Sequence, residues 1–124
     1  MLRRALLLVL VLVLPSGCLE NLHQEKYFAK LRAADPALAE RVTDCRADIE
    51  RQLDAAIATE VDGPIASIGH WGESWGYVNT VVRDGVLFMR GRIRYDDRAA
   101  GRYGFAFRVG EDCTVEIVER EVHG

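Results

Sequence analysis

Three groups of residues in this chain have the means to do chemistry. Cysteine thiols stand at Cys18, Cys45 and Cys113, arginines alternate at Arg90, Arg92 and Arg94, and a loop carries Trp71, Trp75 and Tyr77 among glycines. Thiols pair into disulfides in an oxidising compartment. Guanidinium groups bind carboxylates and phosphates through two parallel hydrogen bonds and stack on aromatic rings. Tryptophans next to glycines can grip a sugar ring or a partner surface. The setting of Cys18 is specific. Met1-Leu2-Arg3-Arg4 leads into an unbroken apolar run over residues 5–14, followed by Pro15-Ser16-Gly17-Cys18. A basic start, a short apolar stretch and small residues before a cut site describe a secretory signal, and the run is too short for a transmembrane helix.

The cysteine after Ser16-Gly17 makes this segment similar to the type II signal peptide of bacterial lipoproteins. Pro15 stands where that signal usually has leucine, with Leu14 one step earlier. The resemblance implies cleavage before Cys18, a diacylglycerol on its sulfur and an acyl chain on the new amino group, a covalent lipid being the only prosthetic group expected. Two or more chains hold a protein stably on a bilayer, each buried methylene contributing about 0.8 kcal/mol. An ordinary signal peptide ending near a cysteine, or a buried first helix, are the other readings. The expected divisions are a signal at 1–17, a lipidated tether at 18–24 and one domain over 25–124. The domain is expected in the periplasm. Leu19 replaces the aspartate that retains enterobacterial lipoproteins at the inner membrane, so the outer membrane is favoured.

With Cys18 assigned to lipid, Cys45 and Cys113 remain, and a bridge between them is expected; the alternative is two buried free thiols. The full chain of 124 residues carries a formal charge of −3, and losing Arg3 and Arg4 makes the remainder more acidic. That balance argues against nucleic-acid binding. The length suits a single domain with one core.

The elements that must position these groups follow from periodicity. A helix is expected over about 25–34, with Tyr27, Phe28 and Leu31 on one side. Asp35 as N-cap and Pro36 at the first position then start a long helix to about residue 60. Its apolar residues Leu38, Val42, Cys45, Ile49, Leu53, Ala56 and Ile57 recur every three or four places. Beyond Asp62-Gly63-Pro64 the period changes to two. Ile65–Ile68 is a candidate short strand. Strands are expected over 75–83, 86–95, 102–109 and 113–122, with Asp84-Gly85 as a two-residue hairpin turn. The predicted fold is α+β: N-terminal helices, one of them long, on a four-stranded antiparallel meander, pinned by one disulfide. The hairpin register sets Trp75 and Tyr77 opposite Arg94 and Arg92. Arg102 and Arg108 share that outer face, with Asp96 and Glu116 available to neutralise it. Tyr103, Phe105, Phe107, Val109, Cys113, Val115 and Ile117 face inward.

Arg90, Arg92, Arg94, Trp71, Trp75 and Tyr77 are therefore candidate ligand-binding residues for an anionic partner. The plainer reading is a charged, solvated sheet face, with one tryptophan closing the end of the core. For catalysis the chain is poor. His23, His70 and His123 lie far apart, and no cluster has zinc spacing. His70, Glu73 and Ser74 could be drawn as an acid–base group, but their neighbourhood in a glycine loop gives that little weight. Gly63-Pro64-Ile65, leading from a helix into an antiparallel sheet, faintly resembles cytochrome oxidase assembly factor-type domains, and no functional residue is carried over from them. Two functions are expected to compete. One is a non-catalytic envelope lipoprotein acting as a protein-interaction or assembly module. The other is a binder of an anionic glycan or lipid through the Arg/Trp face.

Overall fold

Asp35 and Pro36 divide the helical half where the sequence places the division. A computed structural model describes residues 15–73 and 80–124, with side chains from residue 22 onward. Helix α1 spans Pro15–Ala34 and α2 spans Pro36–Asp44, with the Asp35 carboxylate accepting from the Leu38 amide at 3.2 Å as N-cap. Helix α3 spans Arg46–Ala58. Two expectations change here. The segment expected as a tether before residue 25 is helical, because α1 begins at Pro15. The single long helix is divided at Cys45, whose φ of −93° and ψ of 5° leave the helical region. The division is slight: Cys45 N–H still donates to the Arg41 carbonyl and Ile49 N–H to the Cys45 carbonyl, both at 2.9 Å. The signal segment over 1–14 lies outside the described residues. Among those described, no helix is long and apolar enough to cross a membrane.

The second half is an antiparallel sheet of five strands: β1 (Ile65–Ile68), β2 (Val82–Arg83), β3 (Val86–Tyr95), β4 (Gly101–Val109) and β5 (Val115–His123). The order is β1-β3-β4-β5, with β2 also on β3. Asp84 and Gly85 both have positive φ, 52° and 75°, as the tight hairpin requires, and Val82 pairs with Leu87 in the expected register. Of the strand expected over 75–83, the described part is Val82–Arg83; residues 74–79 lie outside the described residues.

The helices cover one face of the sheet. Tyr27 and Leu31 of α1, Leu38 and Val42 of α2, and Ile49, Leu53 and Ile57 of α3 are buried against Leu87, Met89, Ile93, Tyr103, Phe105 and Phe107. Each such side chain contributes about 1.5–3 kcal/mol by leaving water. Tyr27 adds a directional tie, its phenol donating to the Phe88 carbonyl at 2.7 Å.

Cys45 and Cys113 are joined, with Cα atoms 5.2 Å apart and a sequence separation of 68. Cys113 lies in the turn before β5 at φ 66°, not within the strand as its phase suggested. Gln52 holds that turn from α3: its amide donates to the Cys113 carbonyl at 2.7 Å, and its carbonyl accepts from Val115 N–H at 2.9 Å. Closing a loop of this size stabilises the fold by about 4 kcal/mol in the chain-entropy model. Reduction, or the Cys45→Ala/Cys113→Ala pair, is expected to lower the urea midpoint by the equivalent of roughly 2–4 kcal/mol. An unchanged midpoint would show that the bridge does not constrain the unfolded chain.

Candidate functional site

Trp71 explains how the arginine face is built. It has a left-handed φ of 63°, uncommon for a bulky residue, and its ring is 0% exposed. The ring lies 4.8 Å from Phe28 and 5.6 Å from Tyr27, with the Arg46 guanidinium 5.0 Å over Phe28 and 5.7 Å over Trp71. Its indole N–H donates to Glu50 at 3.3 Å, and Arg46 Nε reaches the same carboxylate oxygen at 3.2 Å. Trp71 thus closes the end of the core and is not on a binding face.

The turn at Trp71 brings residues 65–72 along the edge of β3. Ser67 pairs with Arg94, Gly69 N–H donates to the Arg92 carbonyl at 2.9 Å, and Gly72 bridges to Arg90. Backbone approaches closely here. A Cβ on Gly72 would lie 2.4 Å from the Arg90 carbonyl oxygen, and one on Gly91 would lie 2.0 Å from the Gly69 oxygen. Tyr103 uses the same space to donate to Gly69 O at 2.6 Å. The expectation that Trp75 and Tyr77 stand across from Arg94 and Arg92 is corrected, because Ser67 and Gly69 hold those places. Trp75 and Tyr77 themselves lie outside the described residues.

On the sheet face away from the helices, Arg92 of β3 pairs directly with Arg102 of β4. Side chains so placed have Cβ atoms about 5 Å apart, and like charges there are destabilising. Arg94 follows two residues along β3, about 7 Å away. Arg92, Arg94 and Arg102 are exposed and form no ion pair with any described residue. Several arginines elsewhere are matched, Arg46 by Glu50, Arg98 by Asp97, Arg108 by Glu116 and Arg120 by Glu60, while Arg32 and Arg83 stand singly and away from the cluster. Glu116 thus neutralises Arg108, while Asp96 forms no ion pair with the cluster. Arg90 is half-buried at the cluster's inner border. Burial holds its guanidinium below the ordinary range, Arg102 and Arg92 act the same way, and Glu73 opposes them. Phe88 and Ala106, on the same face, are buried.

Of the acid–base group drawn from His70, Glu73 and Ser74, His70 and Glu73 are engaged with other residues, and Ser74 lies outside the described residues. His70 Nε2 lies 2.6 Å from Asp54 and Nδ1 lies 3.5 Å from Glu50, while Glu73 pairs with Lys30 at 2.9 Å. Both imidazole nitrogens face carboxylates of α3, so the ring serves to strap the 69–73 segment to the helices. The signal for this was present in Arg46, Glu50 and Asp54, spaced four apart on one helix face. Among the described residues no group of three metal-ligating side chains converges. Two surface depressions, of about 650 Å³ along α3 and about 360 Å³ beside the disulfide, lie away from the arginines. The arginine corner is an open surface, suited to a charged group displayed on a larger body rather than to an enclosed small molecule.

Comparison with known proteins finds no matching family model, no matching protein sequence and no matching solved structure.

The two phenols under this face make alkaline pH informative. Burial pushes Tyr27 and Tyr103 far above the ordinary tyrosine range; Tyr103 adds to the effect on Tyr27, and Asp54 and Glu50 add to that on Tyr103. Above about pH 10 the unfolded chain releases phenolic protons that the folded chain keeps, so stability falls as pH rises. Urea midpoints should therefore drop between about pH 9 and pH 11, and the Tyr27→Phe/Tyr103→Phe pair should flatten that drop while starting from a lower midpoint. An equally steep drop in the pair would remove these phenols as its cause.

Proposed function

We propose that this chain is a lipid-anchored, non-catalytic binding module of the bacterial envelope, engaging an anionic partner with the outer face of its sheet. The observation that carries the reading is the Arg92–Arg102 pair with Arg94 beside it: like charges on directly paired residues, none of the three in an ion pair with a described residue, although Glu121 of β5 lies diagonally from Arg102 on the same face. Such an arrangement costs stability in isolation and is relieved by an anion. Support for the anchor comes from cysteine pairing. With Cys45 bonded to Cys113, Cys18 is the remaining thiol, and it follows Ser16-Gly17 at the end of the apolar leader. On this reading Cys18 carries the lipid, the domain faces the periplasm, and Leu19 favours the outer membrane. No cofactor is invoked beyond the lipid.

A protein partner in an assembly is the second reading, favoured by β5. This nine-residue strand ends the sheet order, and Val118 on it is exposed. An unpaired edge can accept a strand from another chain.

Labelled palmitate should enter the chain in its bacterial host and be lost in Cys18→Ala; retained label would sink the anchor. Crosslinking in the host's own membranes separates the two partner readings. Capture through the arginines should fall in Arg92→Gln and weaken steeply with salt, since exposed charges are screened within about 8 Å at physiological ionic strength. Capture at the β5 edge should ignore both.

A further inference from the structure

Resting on that reading of the outer face, we propose that Arg92, Arg94 and Arg102 form a receptor for the phosphomonoester headgroup of a lipid in the membrane that holds the chain. The number and spacing of the arginines select the chemistry. A carboxylate carries a single charge, so even where its two oxygens bridge guanidiniums it leaves most of the three positive charges unmatched. A phosphodiester also carries one charge, with two free oxygens. A phosphomonoester carries about −1.5 to −2 at neutral pH and presents three acceptor oxygens, one for each fork. Among these three groups it best answers three guanidiniums whose Cα positions fall within about 5–8 Å of one another on adjacent strands.

The face is open, which suits a group presented at a surface. The 67–69 segment lies beside Arg92 and Arg94 as backbone pairing, with Ser67 opposite Arg94 and Gly69 adding no side chain between β1 and Arg92. The choice of a lipid follows from α1. The helix is continuous from Pro15 to Ala34, and Tyr27 is the first fully buried residue among those described, so Cys18 stands about 14 Å along the helix from Tyr27 at 1.5 Å per residue. A lipid on Cys18 would hold the arginines at high effective concentration relative to headgroups of the same leaflet.

The test uses the full lipidated chain reconstituted into phosphatidylcholine vesicles. These contain either nothing further, phosphatidic acid as the phosphomonoester, or phosphatidylglycerol at equal mole fraction as the phosphodiester. Arginine modification by a dicarbonyl reagent is followed residue by residue by mass spectrometry. Arg92, Arg94 and Arg102 should be protected several-fold by phosphatidic acid and little by phosphatidylglycerol. Arg32 and Arg83, which are exposed and unpaired among the described residues, serve as controls whose rates should not change. Equal protection by both lipids would reduce the effect to surface potential and overturn the proposal. Equal protection by inorganic phosphate over phosphatidylcholine would reassign the corner to a free anion. Arg102→Gln removes the direct opposition, so it should melt no lower than the parent while losing protection at Arg92 and Arg94; protection kept in this folded variant would also overturn the proposal. Failure of the anchor appears separately, as loss of co-flotation with phosphatidylcholine alone, and loss of all partner capture in Arg92→Gln with no lipid protection would leave the recognition face intact but not its lipid.

Discussion

A tryptophan ring with no exposed surface, on a backbone turned to the left-handed side, fixes more of this molecule than any other single residue. Trp71 cannot hold φ 63° on its own preference. It does so because Tyr27 and Phe28 of α1, Arg46 above the rings and Glu50 at the indole nitrogen leave the ring one place to go. That placement turns the chain after β1 and lays residues 65–72 along β3. The same contact therefore closes the hydrophobic core and decides which side chains stand beside the arginines.

Polar groups around this point are committed to structure. Glu50 accepts from Trp71 and Arg46 while facing His70, and Asp54 holds the other imidazole nitrogen. Tyr103 closes the space left by Gly91. These interactions convert a charged helix face into a clamp on one loop. The arginine corner is the opposite case: strand register has brought its charges together, and no described residue forms an ion pair with Arg92, Arg94 or Arg102. The contrast between a satisfied network and an unsatisfied one on two sides of the same strand is what separates scaffold from surface here.

Much of this was legible in the chain. The change from a 3.6-residue to a two-residue period placed the helices and the sheet, Asp35-Pro36 and Asp84-Gly85 marked their boundaries, and the inward phase of Tyr103, Phe105 and Phe107 was correct. The cysteine pair followed from elimination and proved joined. Two things were not legible. The hairpin register is local and is set by its turn, but residues 65–72 won the edge beside Arg92 through contacts to helices some forty residues away, which no local pattern encodes. Cys45 looked like the middle of a helix because its stripe continues on both sides, whereas its backbone leaves the helical region. The direct opposition of Arg92 and Arg102 needed the β3–β4 register, since their spacing places them on one face without saying that they meet.

If the chain is exported as proposed, the bridge from Cys45 to Cys113 has a consequence for the order in which its thiols meet an oxidant. On that proposal, a chain exported from its N-terminus would present Cys45 to an oxidising compartment well before the turn carrying Cys113 arrives, 68 positions later in the sequence. During that interval an earlier thiol at Cys18 would be the nearest competitor. On the proposed assignment, a thioether on that sulfur withdraws it from exchange, so order of emergence and chemical modification together leave one productive pairing.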